Sequence, residues 1–256
     1  SCPYSTFKTG AYAILACMNI ILFEALSAQN ELSMQDPRAQ HICKILRLKE
    51  GERFQAGIIN VGQGTATLTA LKNDSILFDF VMEDTQSAHL YPVTLLVSQV
   101  RPICMRRILR EAVSLGVQKI ILCTTQTGEK SYAQATLYTS GEYHSILLDG
   151  AMQSGKCGVS EVQFAPSVAS AMGLLDENSQ RIVLDNVRES ESLARITITS
   201  PSVVLAIGGE RGFTDDERTT FDRNGFSFAS LGSRILRTET ACSAGLAVLL
   251  GRMGLL

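Results

Sequence analysis

Leu231-Gly232-Ser233-Arg234-Ile235-Leu236-Arg237-Thr238-Glu239-Thr240-Ala241 is the stretch on which the reading of this chain depends. It follows Gly225-Phe226-Ser227-Phe228-Ala229-Ser230-Leu231, which reads as a strand. It runs into Ala241 to Leu250, a helix of small and apolar residues with Thr238 or Thr240 as its N-cap. A second glycine-bearing stretch, Leu205-Ala206-Ile207-Gly208-Gly209-Glu210-Arg211-Gly212-Phe213, closes the apolar run Ser202 to Ile207, of the kind a buried parallel strand shows. Glycine at 208 and 209 permits positive φ and lets a ligand touch the main chain. Two strand ends at one crevice, each followed by exposed N–H groups, suit an adenosine moiety in an open α/β sheet. The plainer alternative is a pair of ordinary turns between strand and helix.

Outward from these stretches, the texture of the chain falls into two parts. From Glu52 to Asp84 apolar and polar residues alternate in short pieces: Phe54, Ala56 and Ile58, then Ala66, Leu68 and Ala70, then Ile76, Phe78 and Phe80. Gly62, Gly64 and Asn73-Asp74 divide them, and this period of two between turn residues predicts an antiparallel meander. From Tyr91 strand and helix alternate: Val93 to Val97, Met105 to Leu115, Lys119 to Cys123, Tyr143 to Met152, Arg181 to Leu184 and Val203 to Ile207. That pattern predicts a parallel sheet with helices on both faces. Gln86-Ser87-Ala88 is the expected hinge.

With 256 residues, 45% hydrophobic and 19% charged, the chain is globular and can bury one large or two modest cores. A net charge of -2 argues against non-specific polyanion binding by the whole surface, so such binding falls to local basic patches. The seven cysteines, Cys2, Cys17, Cys43, Cys104, Cys123, Cys157 and Cys242, are scattered and contain no C-x-x-C pair. Buried thiols in a reducing, cytoplasmic compartment are expected. His41, His89 and His144 lie far apart and give no ligand spacing, so no metal site is expected. Lys8 followed by Ala11 to Phe23, with small residues from Ala25 to Ala28, resembles a secretory signal. The competing reading takes Ile20 to Phe23 as a first strand and residues 1–17 as an upstream extension. No other run approaches transmembrane length.

The two glycine stretches together resemble the signature of the RsmE family, the bacterial 16S rRNA uridine-N3 methyltransferases of the SPOUT superfamily. The family's motifs read I-G-P-E-G-G-F and L-G-x-R-I-L-R-x-E-T-A. The second is matched from Leu231 to Ala241, while the first departs at Gly209, where the family has Pro, and at Arg211, where it has Gly. The likeness extends from Met18 onward. The run from His41 to Glu52 is similar to the family's H-x-x-x-V-L-R-x-x-x-G-D, and Leu115-Gly116-Val117 to the end of its E-L-G-V helix. Glu129-Lys130-Ser131-Tyr132 resembles its K-S-Y loop, and Gln153-Ser154-Gly155-Lys156 its Q-S-G-R. The resemblance implies an α/β protein with a PUA-like β-barrel RNA-binding domain over residues 18–88 and a SPOUT trefoil-knot methyltransferase domain over residues 89–256. It further implies a homodimer with each cofactor site near the subunit interface, S-adenosylmethionine as cofactor, and 16S rRNA, within the small ribosomal subunit, as substrate. The cofactor contacts it implies are Leu184, Ile207, Gly208, Gly209, Glu210, Gly212, Leu231, Gly232, Ile235, Leu236, Arg237 and Thr240.

Methyl transfer from a cationic sulfur needs an electron-rich acceptor held in line with the breaking bond. Uracil N3 is an imide nitrogen that carries its proton at neutral pH, so the proton must be removed or the anion stabilised. Glu210 and Glu239 are the candidate bases, and Arg237 or Arg234 the candidate stabilisers of charge on the uracil carbonyl oxygens. Equally, Glu239 reads as a carboxylate complementing a helix dipole, and Arg234 as half of a surface ion pair. Arg101, Arg106 and Arg110 occupy one strand-helix segment, with Arg106 and Arg110 on one helical face. With Lys130 and Lys156, and with His41, Lys44 and Arg47 of the small domain, they are the expected phosphate contacts. A solvated helix surface is the alternative for the arginines. The target uridine must be unpaired or splayed out, because N3 lies on the pairing edge.

Two other functions compete. An RNA-binding relative without turnover is motivated by Gly209, Arg211 and Lys156. A P-loop ATPase is motivated by Gly150-Ala151-Met152-Gln153-Ser154-Gly155-Lys156, which spells G-x-x-x-x-G-K, with Ile182-Val183-Leu184-Asp185 as its acidic strand. Cys157 then stands where that loop requires a hydroxyl for magnesium, and a thiol is a poor substitute.

Overall fold

The computed structural model describes residues 20–256, and the competing readings of residues 1–17 lie outside them. The chain divides into two compact units. One runs up to His89 and includes Ala151–Val159; the other comprises Leu90–Gly150 and Ser160–Leu256.

The first unit contains β1 (Ile21–Phe23), β2 (Gln29–Ser33), the one-turn helix α1 (Pro37–Gln40), β3 (Arg53–Ile58), β4 (Gly62–Leu71) and β5 (Ser75–Asp84). They form one sheet in the order β1-β3-β4-β5-β2, antiparallel except for the β1–β3 pair. The alternating residues point inward as expected: Phe54, Ala56, Ala66, Leu68, Ile76, Phe78 and Phe80 share one core with Phe23 and Ile42. Ala70 departs from the pattern. The pairing with β5 slips between Leu68 and Ala70, so Ala70 falls out of phase and is only half-buried. Three strand spacings separate β1 from β5, about 14 Å in a flat sheet. The rings of Phe23 and Phe78 nevertheless lie 5.6 Å apart, so the sheet coils around its aromatic core.

The second unit is built on a seven-stranded sheet of β6 (Tyr91–Ser98), β7 (Val117–Cys123), β8 (Glu161–Ala165), β9 (Gln180–Leu184), β10 (Glu191–Ser192), β11 (Val203–Ile207) and β12 (Ser227–Ser230). The order is β10-β12-β9-β11-β6-β7-β8, and every neighbouring pair is parallel. All five residues of β11 are buried, as a strand covered on both faces requires. The helices are α2 (Pro102–Ser114), α3 (Thr136–Thr139), α4 (Glu142–Ser154), α5 (Val168–Met172), α6 (Asp215–Arg223) and α7 (Thr238–Arg252). Within this sheet the chain leaves β9, runs out to β10, and returns to β11 on the other side of β9. The later strand β12 fills the place between β9 and β10. Helix α7 packs closely enough that a Cβ at Gly245 would lie 2.9 Å from Leu184 Cδ1, which accounts for its small residues.

The ATPase reading fails here. A P-loop cradles phosphates with a loop that opens a helix, whereas Gly150 to Ser154 form the last turns of α4.

Candidate active site

Three strands that are neighbours in the sheet, β12, β9 and β11, end side by side, and the segments leaving them wall a cavity of about 280 Å³. β9 contributes Leu184, Asp185, Asn186 and Val187, and β11 contributes Ile207 through Phe213. The third wall is Ser230, Leu231, Gly232, Arg234, Ile235 and Leu236 after β12, with Thr238 and Ala241 from the start of α7. The carboxyl ends of parallel strands are where open α/β sheets receive ligands.

The β11 loop is a tight turn closed by the Gly212 N–H, which donates to the Gly209 carbonyl at 3.0 Å. Gly212 sits at φ +64°, a backbone conformation that strains any other residue, and a Cβ at Gly208 would approach Gly212 Cα to 3.1 Å, so Gly208 has no room for one without adjustment. Arg211 does not adopt a positive φ, so it enters the turn without backbone strain. The turn is tied to the loop after β7, because the Thr127 hydroxyl donates to the Gly212 carbonyl at 2.9 Å. In the β12 loop Gly232 sits at φ +98°. From Gly232 to Leu236 no backbone group bonds to another backbone group among the described residues, which leaves N–H and C=O groups for a ligand or water. Thr238 is buried and its hydroxyl donates to the Gly208 carbonyl at 3.3 Å, joining the two glycine loops.

Two consecutive residues of α6 hold the walls in place. Glu217, at the third helical position, accepts the Thr214 N–H at 2.8 Å in a capping box with the Thr214 hydroxyl, and its other oxygen accepts the Gln126 N–H at 2.8 Å. Arg218 points to the β9 end, where its Nε donates to Asp185 Oδ2 at 2.9 Å, with side chains only 7% and 2% exposed. The other Asp185 oxygen accepts the N–H groups of Val187 at 2.8 Å and Arg188 at 3.0 Å. Asp185 thus shapes the cavity wall through its own turn and serves no acidic strand of an ATPase.

Of the residues expected to touch a cofactor, Leu184, Ile207, Gly208, Gly209, Glu210, Gly212, Leu231, Gly232, Ile235 and Leu236 line the cavity. Arg237 and Thr240 do not; both are exposed. Arg237 is the N-cap of α7, with Thr238 already inside the helix, so neither threonine caps it as the sequence suggested. Glu210 and Arg234 line the cavity. Glu239 is half-buried in the first turn of α7, beside Cys104. Burial, and after it the Glu239 and Glu210 carboxylates, push the Cys104 thiol above its ordinary range. Asp185, Asn186, Val187, Arg211, Phe213, Ser230, Thr238 and Ala241 also line the cavity and were not among the expected contacts. Asp185 directly after an apolar strand was a legible signal for an Asx-type turn.

Of the expected phosphate contacts, His41, Lys44, Arg47 and Lys156 belong to the first unit, and Arg101, Arg106, Arg110 and Lys130 to the second. His41 and Lys44 lie on a π-helical turn (His41–Ile45), and Arg47 beyond it is exposed at φ +55°. Arg106 is already paired, its guanidinium donating to both Glu142 oxygens at 2.7 and 2.8 Å, while Arg110 is half-buried. Lys130, Lys156 and Arg101 are exposed. Among the described cysteines all are free; Cys123, Cys157 and Cys242 are buried, but Cys43 and Cys104 are only half-buried. Among the described residues no group of three His, Cys, Asp or Glu could hold a metal ion, and no helix is long and apolar enough to cross a membrane.

Two family models match the chain: an RNA methyltransferase domain over residues 87–250 and an RNA methyltransferase PUA domain over residues 35–81. A parallel sheet with a cavity at its carboxyl edge, preceded by a coiled β-domain, therefore defines an RNA methyltransferase. Ribosomal RNA small subunit methyltransferase E of Treponema pallidum is 34% identical over 241 residues, 91% of either chain, and a namesake from Borreliella burgdorferi is 29% identical over 89% of this chain and 95% of its own. The chain belongs to the ribosomal RNA small subunit methyltransferase E family. Among solved structures, that enzyme from Neisseria gonorrhoeae, bound to S-adenosyl methionine, superposes with a TM-score of 0.78 at 24% identity, covering 91% of this chain and 97% of that one. A probable rRNA methyltransferase from Porphyromonas gingivalis gives 0.79 at 18%, covering 92% and 98%.

Proposed function

We propose that this chain transfers the methyl group of S-adenosylmethionine to N3 of a uridine in 16S rRNA. The observation that carries the reading is the cavity of about 280 Å³ walled by main chain of three adjacent strand ends, in a chain 34% identical to a protein of that name. S-adenosylmethionine, when bound, supplies a methyl on a cationic sulfur. The unpaired main-chain groups of Gly232 to Leu236, with Leu184, Ile207, Leu231, Ile235 and Leu236 around them, hold its adenosyl part. Gly208, Gly209 and Gly212 present main chain on the opposite wall, among the side chains of Glu210, Arg211 and Phe213. Glu210, on the cavity wall, receives the imide proton, and Arg234, which lines the cavity from the β12 loop, faces the charge that develops on the uracil oxygens. Arg237 and Thr240, exposed and off the wall, serve the RNA side, and Glu239 complements the N-terminus of α7.

His41, Lys44, Arg47, Arg101, Arg110, Lys130 and Lys156 supply phosphate contacts, with residues 18–88 as the RNA-binding domain and 89–256 as the knotted catalytic domain. The protein acts in the cytoplasm as a homodimer on the small ribosomal subunit. Loss of turnover is the weaker reading, because Gly209 and Arg211 keep the 3.0 Å turn hydrogen bond and Arg211 needs no left-handed backbone. Calorimetric titration with S-adenosylmethionine should show binding, and nucleosides from a deletion strain should lack 3-methyluridine in 16S rRNA. No binding in the first, or an unchanged level in the second, rejects the proposal.

A further inference from the structure

Beside the cavity runs a groove of about 680 Å³, walled by the excursion from β9 through β10 to Arg195 and by the β12 loop. Asp185, Asn186, Ser230, Gly232, Arg234 and Ile235 line both spaces, so molecules seated in the two would be in contact. Three guanidinium groups, Arg188, Arg195 and Arg234, face the groove. Of the two carboxylates in its lining, Asp185 is already paired with Arg218, which leaves Glu189. Arg188 is held in place, donating to Asp222 Oδ2 at 2.8 Å with its guanidinium carbon 4.2 Å from the Phe228 ring centroid. Arg195 and Arg234 form no ion pair among the described residues. Ser190 Oγ, also in the lining, is buried without a hydrogen-bond partner. A buried hydroxyl left alone is costly, and a ligand oxygen would complete it. At the junction of groove and cavity stands Ile235, 84% exposed, an apolar surface in an otherwise polar trough.

Guanidinium groups suit phosphate because their planar fork matches its oxygens, a free hydroxyl suits a phosphate or sugar oxygen, and an exposed aliphatic side chain suits the face of a base. The volume lies within the roughly 300–1,000 Å³ of small-ligand sites. We propose that this groove seats the target nucleotide, with its phosphate on Arg188 and Arg195, assisted by Ser190, and its base against Ile235 where groove meets cavity. The inference rests on the reading of the cavity as the methyl-donor pocket, and adds a substrate subsite built by Arg188, Ser190 and Arg195.

The test uses the full chain, 16S rRNA substrate lacking the modification, and the variants Arg188→Ala and Arg195→Ala. Each variant should raise KM for the RNA roughly tenfold or more, the loss of one charge-assisted contact. Each should also reduce the slope of log KM against log salt by about 0.7, one phosphate contact on a single strand. Affinity for S-adenosylhomocysteine should stay within about twofold of the parent, because neither side chain lines the cavity. Uridine 5′-monophosphate should compete with the RNA in the parent, and uridine should compete far less well. Arg195 is exposed and unpaired, so its removal leaves the fold intact even if Arg188→Ala loosens the Phe228 packing. Unchanged KM and salt slope in both variants, or equal competition by uridine and its monophosphate, would overturn the subsite while leaving the methyltransferase reading intact. A parent chain that neither binds S-adenosylhomocysteine nor methylates would remove that reading and the subsite with it.

Discussion

Replacing Arg218 by Met should cost about 3–5 kcal/mol, the range for removing one partner of a buried ion pair. Asp185 is the reason: its side chain is 2% exposed, and Arg218 is the one cation within ion-pair distance of it among the described residues. The second Arg218 contact, to Asp215 at 3.0 Å, adds little because Asp215 is 98% exposed, and such pairs are worth at most about 1 kcal/mol. At about 2–4 °C per kcal/mol for chains of this size class, the melting transition of the second unit should fall by about 6–20 °C. Urea unfolding should show a lower midpoint at constant slope. The double variant D185N/R218M keeps an oxygen to accept the Val187 and Arg188 N–H groups and removes the charge. It should be more stable than R218M alone. The same single variant should weaken binding of the methyl donor, since Asp185 through Val187 wall the cavity. An R218M cost below about 1 kcal/mol, or strict additivity in the double variant, would refute the idea that this buried pair organises the site.

Gly232→Ala meets open space but must adopt φ +98°, so it should lose about 1–2 kcal/mol and bind S-adenosylmethionine more weakly by calorimetry, with no steric effect elsewhere. Arg237→Ala should raise the KM for 16S rRNA roughly tenfold while leaving the circular dichroism spectrum and cofactor affinity unchanged, because Arg237 is exposed and off the cavity wall. Burial pushes the Cys123 thiol up from 9.0 to about 12, and burial raises Cys242 as well. The unfolded chain then releases these protons first, so stability present below pH 9 should decline as pH rises toward 12, by about 1.4 kcal/mol per pH unit for each thiol. Urea midpoints across that range would check it, and replacing Cys123 by Ala should flatten the decline.

The meander and the parallel sheet were legible because their periods are local: Phe54, Ala56, Ala66 and Leu68 alternate in register with the pleat, and Val203 to Ile207 is apolar throughout. Ala70 escaped because a slipped pairing is a property of two strands together. Most of the cavity lining was legible only through the likeness of the two glycine stretches to the family's motifs, because glycines at 208, 212 and 232 by themselves fit ordinary strand-to-helix turns. The clamp by Glu217 and Arg218 was not, because nothing near Gln126 or Asp185 in sequence announces a partner 91 or 33 residues away. The N-cap of α7 is Arg237, one residue before Thr238 and three before Thr240, because the Thr238 hydroxyl is spent on Gly208 instead of on its own helix. Arg106 looked free at helical spacing and is engaged by Glu142, 36 residues on.

The interposition of β12 between β9 and β10 sets a schedule for the nascent chain. β10 has β12 as its sole neighbour in the sheet, and the cavity takes one of its three walls from the residues just after β12. A ribosome that has extruded everything up to Arg223 has therefore delivered two walls and an unanchored outer strand. The third wall of the site is in place only once the closing segment of polypeptide has slipped into the slot reserved for it.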